Sequence, residues 1–227
     1  MTQFIRMLVV LLCLPLALPV QGQTVASGQK ADQVWNEIKG EKMEALLLQG
    51  DFERGAEAFK ACQGCHRRGA TGSPSGAYPR LAGQHASVLI EQIADIRAGR
   101  RINPTMAPFS DEHVLTTAEI ADIAAYLQAL PIRHIENGKG QGNALDQGKA
   151  LYTRDCQVCH GAAGEGNARK FIPLLAGQHY GYLLRESRLI RDDRRGNANP
   201  DMVKVIKGYR EADLDAVSDY ISRLVAP

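Results

Sequence analysis

The sequence lacks a large excess of charge of either sign. Its 227 residues include 27 Lys and Arg against 25 Asp and Glu, which gives a formal net charge of +2 at pH 7. A balance this small does not indicate a nucleic-acid-binding protein, because such proteins usually show a basic surface in their composition. The apolar fraction of 44% is ordinary for a globular chain, so nothing in the composition argues for extensive disorder.

Long apolar runs are also missing, except near the N-terminus. Residues 7–20 are uncharged, rich in Leu and Val, and follow Arg6. The run contains Pro15 and Pro19 and is too short to span a membrane comfortably. These features are typical of a secretory signal peptide, here predicted over residues 1–22, with an uncleaved anchor as the alternative. We therefore expect a protein that is exported to the periplasm.

Sustained period-two alternation of apolar residues is absent, so we expect few strands. Apolar residues recur instead at helical spacing, for example after a capping box formed by Thr116 and Glu119. A second segment of this kind is predicted to end at Gly99, and short helices are predicted to begin at Asp51 and Asp146. The pattern predicts an all-α fold.

The chain contains one sequence unit twice. Residues 79–85, Pro-Arg-Leu-Ala-Gly-Gln-His, recur 94 positions later as Pro-Leu-Leu-Ala-Gly-Gln-His in residues 173–179. Several further blocks match in the same order, which indicates duplication rather than chance. The repeat predicts two similar domains, at residues 51–133 and 146–227.

Two segments lie outside the repeat. Residues 134–145 are rich in glycine and are predicted to form the linker between the domains. Residues 23–50, which include the only tryptophan, Trp35, have no counterpart in the second unit. We expect them to form an N-terminal helical extension that serves packing.

The cysteines are few, and apart from Cys13 in the predicted signal peptide they leave no thiol for a disulfide. They form two pairs, each followed at once by a histidine: Cys62 and Cys65 with His66, and Cys156 and Cys159 with His160. Cys-x-x-Cys-His is the attachment signal of haem c, because two thiols on one helical turn can both join one porphyrin while the imidazole binds iron. Zinc sites built from two Cys-x-x-Cys pairs usually separate them by about 15–20 residues. Here the separation is about 90.

The sixth ligand of each iron decides whether the site carries electrons or binds a substrate. After removal of the predicted signal peptide, only Met43, Met106 and Met202 remain. Met106 and Met202 both follow Asn-Pro-x at matched places, in segments expected to be extended and loop-like, whereas Met43 has no counterpart. We predict Met106 and Met202 as axial ligands, with core packing as the alternative. The repeated His85 and His179 are the other candidate donors, although a surface or interdomain hydrogen bond explains them as well.

Together these features resemble a tandem class I cytochrome c, in particular the two-haem periplasmic group called cytochrome c-four. The resemblance covers roughly residues 50–226 and includes the tyrosine-bearing terminal helices of both units. It implies two tandem cytochrome c domains, each wrapped around one covalently bound haem with His/Met coordination. It further implies that the carbonyls of Pro79 and Pro173 accept hydrogen bonds from the two ligating imidazoles.

The repeated Arg97 and Arg191 have two interpretations. A guanidinium can pair with a haem propionate through two parallel hydrogen bonds, which would make both residues part of the cofactor site. Exposed arginines at helix ends are also common, and acidic residues lie nearby in the second repeat. The sequence leaves both interpretations open.

Two irons with both axial positions filled favour outer-sphere electron transfer, in which haem performs the redox chemistry and the protein sets potential and docking. Methionine ligation raises the potential, which suits a carrier that feeds an oxidase or reductase. The expected partners are redox proteins: a quinol-oxidising complex or periplasmic dehydrogenase as donor, and a membrane-bound oxidase as acceptor. The alternatives are a dihaem enzyme, such as a peroxidase or sulfur-compound dehydrogenase, and an electron-entry subunit of a larger complex.

Overall fold

The computed structural model describes residues 35–132 and 137–225, and these residues are helical, without a strand. One isolated antiparallel bridge joins Asn167 and Ile172. The all-α prediction is confirmed. The predicted signal peptide and the first part of the predicted extension lie outside the described residues. In this part of the chain, no helix is both long enough and apolar enough to cross a bilayer.

The two halves repeat one order of helices, except that the first helix of the first half has no counterpart in the second. Those of the first half are α1 (Gly40–Leu47), α2 (Phe52–Ala58), α3 (Gln63–His66), α4 (Ala86–Arg97), α5 (Ala107–Ser110) and α6 (Thr117–Ala129). Those of the second half are α7 (Leu145–Leu151), α8 (Gln157–His160), α9 (Tyr180–Arg191), α10 (Pro200–Ile206) and α11 (Glu211–Ser222). A 3₁₀ turn, Phe59–Cys62, precedes α3, and a π-helical turn, Tyr152–Cys156, precedes α8.

Capping interactions set the helix ends that the sequence predicts. Thr116 Oγ1 accepts a hydrogen bond from the Glu119 N–H at 3.2 Å, and the Glu119 carboxylate accepts one from the Thr116 N–H at 2.8 Å. The predicted capping box of α6 is therefore confirmed. Helix α4 ends at Arg97, and Gly99 follows with a φ of +70°, a left-handed conformation that favours glycine. This predicted helix end is confirmed as well.

The two aspartates predicted to begin short helices have different roles. Asp51 is the N-cap of α2 and accepts a hydrogen bond from the Arg54 N–H at 2.8 Å. Helix α7 begins one residue earlier than predicted, because Ala144 supplies the non-helical backbone that precedes it. Asp146 therefore lies in the first turn, where its negative charge interacts favourably with the helix dipole.

Glycines allow α2 and α6 in the first half, and α7 and α11 in the second, to approach closely. Helix α2 packs against α6 at Gly55, where a Cβ atom would lie 2.0 Å from the carbonyl oxygen of Asp122. Helix α7 packs against α11 at Gly148, where a Cβ would lie 2.2 Å from the carbonyl oxygen of Ala216. Each half builds its own apolar core around this helix pair.

The halves differ by one residue between this helix contact and the cysteine pair. Seven positions separate Gly55 from Cys62, whereas eight separate Gly148 from Cys156. The π-helical turn in the second half accommodates the extra residue. Tyr152 begins that turn and is buried like Phe59, which lies at the same distance from its glycine, so the extra residue falls among residues 153–155, where Thr153 and Arg154 are exposed.

Buried ionic side chains join the two halves. Arg101 and Arg195, which match in the repeat, both contact the Glu186 carboxylate, at N···O distances of 3.1 Å and 3.2 Å. Arg195 also donates a hydrogen bond to Gln92 of α4 at 2.9 Å. The Arg101–Glu186 pair therefore connects the end of α4 in the first half to α9 in the second.

Glu91 of α4 lies beside this ionic layer and is 3% exposed. Burial raises the pKa of its carboxyl to about 7, and the neighbouring Asp95 adds to the increase. Lys42, Gln92 and Arg195 oppose the increase without cancelling it. The carboxyl therefore ionises near neutral pH instead of near its ordinary value of 4.5.

Replacing Glu91 with Gln is expected to stabilise the protein at alkaline pH. Because the folded-state pKa of Glu91 is raised, folding favours the neutral carboxyl, and stability is lost as the pH rises from 4.5 to about 7. The Glu91→Gln variant escapes this loss, so its free energy of unfolding should exceed that of the unsubstituted protein by up to about 3 kcal/mol at pH 8. At pH 4 the two should be nearly equal. Chemical denaturation across this range measures the difference, with the exposed Glu112→Gln as control. A pH-independent difference would contradict the prediction.

Candidate haem sites

Both Cys-x-x-Cys-His segments have the same local structure. In each half the first cysteine ends the 3₁₀ or π-helical turn, and the second cysteine and the histidine lie on the helix that follows, α3 or α8. The cysteines are free thiols: Cys62, Cys65, Cys156 and Cys159. Two thiols three positions apart on such a turn lie on one side of it, with the imidazole next to them.

His66 is buried, and its ring is oriented by the chain. It is 8% exposed, and its Nδ1 lies 3.2 Å from the carbonyl oxygen of Pro79. In the neutral tautomer that fits this contact, the Nδ1–H donates to the carbonyl and Nε2 keeps its lone pair. Burial lowers the pKa of the imidazole, partly offset by the bond to Pro79, so the ring is neutral at pH 7. This is the form that ligates iron.

His160 repeats the arrangement in the second half. It is also 8% exposed, with Nδ1 3.2 Å from the carbonyl oxygen of Pro173, and burial again lowers its pKa. Gly166 holds the loop in place, since its N–H donates to the His160 carbonyl at 2.8 Å. Its φ is +72°, and a Cβ there would lie 2.5 Å from the Ile172 carbonyl oxygen. The loop that carries the proline can therefore reach the histidine only with glycine at this position.

These residues fit haem c better than the rival chemistries. Burial raises the pKa of the Cys62 thiol, and it raises that of Cys156 to about 12, whereas a redox-active Cys-x-x-Cys pair needs a lowered thiol pKa. Within residues 35–132 and 137–225, no three His, Cys, Asp or Glu side chains come together as a site for a metal ion. Two free thiols beside an oriented imidazole are the groups that thioether attachment and iron ligation use.

The two methionine segments differ in secondary structure. Met106 is half-buried and precedes α5, with its N–H donating to the Asn103 side chain at 3.2 Å. Met202 is half-buried on α10 and packs against the second core. The expectation of a loop at Met202 is therefore wrong. Asn199 caps α10 and Pro200 occupies its first position, a combination that starts a helix.

Arg97 and Arg191 both contact protein acceptors. The Arg97 guanidinium contacts Glu41 and the carbonyl groups of Ser110 and Leu115. The Arg191 guanidinium lies 2.8 Å from the Asp192 carboxylate, and it also contacts Glu211 at 3.3 Å. Contact with a haem propionate stays a prediction for both residues.

His85 and His179 reach across to the opposite half. The Nε2 of His85 lies 2.8 Å from the Glu165 carbonyl oxygen, and the Nε2 of His179 lies 2.7 Å from that of Thr71. His179 is completely buried and its Nδ1 accepts a hydrogen bond from Gly138. These contacts are the interdomain hydrogen bonds that the sequence offered as the alternative to iron ligation.

A helical domain that presents two thiols and a buried imidazole from one Cys-x-x-Cys-His turn defines a c-type cytochrome, and this chain has two such domains. The sequence pattern of the Cytochrome c family matches residues 52–131 and again residues 145–224. The chain belongs to the cytochrome c family.

Relatives match most of the chain. It is 31% identical over 186 residues to cytochrome c4 of Pseudomonas aeruginosa, covering 77% of this chain and 89% of that protein. It is 32% identical over 176 residues to the thiosulfate dehydrogenase electron acceptor of Stutzerimonas stutzeri, covering 74% and 80%. The crystal structure of reduced recombinant cytochrome c4 from Pseudomonas stutzeri matches with a TM-score of 0.68 and 28% identity, over 78% of this chain and 100% of that one.

The protein is thus an electron-transfer protein with two haem c groups, as the resemblance implies. Each haem, when bound, supplies a one-electron iron couple. The chain attaches and orients each haem, and the residues around it set its reduction potential and the docking of partners.

Proposed function

We propose that the protein is a periplasmic electron carrier without enzymatic activity of its own. In this proposal His66 and Met106 ligate one iron, and His160 and Met202 ligate the other. The observation that carries the ligation is the repeated geometry: two imidazoles, each 8% exposed and each 3.2 Å from a proline carbonyl oxygen. Two irons with both axial positions filled leave no place for a substrate, so electrons pass through the haem edge to a partner.

The proposed partners are other redox proteins. The donor would be a quinol-oxidising complex or a periplasmic dehydrogenase, and the acceptor a membrane-bound oxidase. The relative named as a thiosulfate dehydrogenase electron acceptor supports a dehydrogenase as donor. Location in the periplasm rests on the predicted signal peptide over residues 1–22, which export and haem attachment outside the cytoplasm would require.

Carbon monoxide distinguishes a carrier from a dihaem enzyme. The reduced protein is expected to bind it at neither iron on mixing at pH 7, because both sixth positions are occupied by methionine. Stopped-flow absorbance in the Soret region measures the binding. Rapid binding at one iron would contradict the carrier proposal and favour an enzyme with a displaceable ligand.

A further inference from the structure

The repeated Gly-Gln-His block joins the halves by two reciprocal amide contacts. Oε1 of Gln178 accepts a hydrogen bond from the Arg80 N–H at 2.9 Å, and its Nε2 donates to the Arg80 carbonyl at 2.9 Å. Oε1 of Gln84 accepts from the Leu174 N–H at 2.9 Å, and its Nε2 donates to the Leu174 carbonyl at 3.0 Å. Each glutamine therefore binds both backbone polar groups of one residue in the opposite half.

The peptide groups bound in this way are those that orient the iron-binding histidines. The Pro79 carbonyl and the Arg80 N–H belong to one planar peptide group, and the same holds for Pro173 and Leu174. One end of the first peptide accepts from His66 Nδ1, while its other end donates to Gln178. The result is a continuous chain of hydrogen bonds from an imidazole in one half to an amide in the other.

Burial strengthens this chain. Arg80 is 3% exposed, Gln178 is 6% exposed and Gln84 is 9% exposed. In a poorly solvated interior, linked hydrogen bonds polarise one another, so a bond at one end of a peptide group strengthens the bond at its other end. His179 adds a second contact to the same loop of the first half, through the Thr71 carbonyl.

We propose that Gln84 and Gln178 are positioning residues through which each half sets the reduction potential of the haem in the other half. The proposal rests on the proposed ligation of iron by His66 and His160. Gln178 Oε1 accepts a hydrogen bond from the Arg80 N–H. This bond polarises the peptide group and makes the Pro79 carbonyl a stronger acceptor for the His66 Nδ1–H. A more strongly held Nδ1–H makes Nε2 a better donor and stabilises ferric iron. Gln84 acts in the same way on His160 through Pro173.

The test uses the holoprotein with ¹⁵N-labelled histidine. In the Gln178→Ala variant, the potential of the haem attached to Cys62 and Cys65 (the first haem) should rise in a spectroelectrochemical titration. Solvent exchange of the His66 Nδ1–H in the reduced protein should accelerate, because its bond to the Pro79 carbonyl is weakened, with about tenfold, the effect of losing one whole hydrogen bond, as the upper limit. The second haem and His160 should be unaffected. Gln84→Ala should give the mirror result.

Two further variants separate this coupling from a loosened interface. Gln128→Ala is the matched control, because its amide accepts from the Ala86 N–H at 2.8 Å within the first half, and it should change neither potential. Gln178→Glu keeps an acceptor for the Arg80 N–H but loses the donor to the Arg80 carbonyl. When ionised it adds negative charge, so it should lower the first potential where Ala raises it. The proposal would be overturned if either variant shifted the reduction potentials of both haems equally. It would also be overturned if Gln178→Ala and Gln178→Glu shifted the first potential in the same direction. Absence of ring-current-shifted His66 and His160 signals in the unsubstituted protein would overturn the ligation itself.

Discussion

Met106→Ala and Met202→Ala are each expected to remove about half of the near-red methionine-to-iron charge-transfer band of the oxidised protein. The two residues follow Asn-Pro-x at matched places in the repeat, and both side chains are half-buried. Loss of either thioether leaves one iron without its sixth ligand and lowers its potential, because methionine favours the ferrous state. The reduced variants should then bind carbon monoxide at one iron each.

Met43→Ala is the matched control for these variants. Met43 lies on α1, has no counterpart in the second half, and is exposed, so its removal should leave the band unchanged. The absorbance of the oxidised proteins, normalised to the Soret band, measures the effect. A methionine whose removal leaves the band intact is not an iron ligand.

Gly166→Ala should strongly destabilise the second half. At this glycine φ is +72°, and the added Cβ would lie 2.5 Å from the Ile172 carbonyl oxygen and 2.6 Å from the backbone of Pro173. The strain of alanine in a left-handed conformation and the overlap of its Cβ with the neighbouring backbone should together lower the free energy of unfolding by about 2 to 5 kcal/mol. The loop would have to move, and the Pro173 carbonyl would lose its alignment with His160. Gly72→Ala should affect His66 in the same way, since its Cβ would lie 2.5 Å from Pro79.

Denaturant unfolding followed through the Soret band measures this loss. Gly208→Ala serves as the control in the same half, because nothing lies within 4 Å of a Cβ at that position. It should change the free energy of unfolding by less than about 1 kcal/mol. Equal stability of the Gly166→Ala and Gly208→Ala variants would show that the close approach of the proline loop is unimportant.

The features that the sequence predicts correctly depend on nearby residues. The capping box at Thr116 and Glu119 spans one helical turn, and Gly99 ends α4 through its own backbone conformation. The attachment motif is equally local, since two cysteines and a histidine on one turn specify thioether bonds and an axial imidazole. Such signals are complete within a few residues, so no knowledge of the tertiary fold is needed.

Contacts between the halves could not be predicted in the same way. Gln178 and Arg80 are 98 positions apart, and a repeat aligns Gln178 with Gln84 without indicating that each binds the opposite half. The π-helical turn before α8 escaped prediction because one extra residue has no distinctive composition. The helix at Met202 had a usable signal, since Asn199 followed by Pro200 is a favourable helix start.

The central claim is that each repeat carries one covalently bound haem c. Intact-mass spectrometry of the denatured, exported protein tests it most directly, because thioether-bound haem stays attached when the fold is lost. The expected mass is that of the chain without residues 1–22 plus two haems, with one haem on a proteolytic fragment containing Cys62 and Cys65 and one on a fragment containing Cys156 and Cys159. A mass that corresponds to one haem or none would contradict the account.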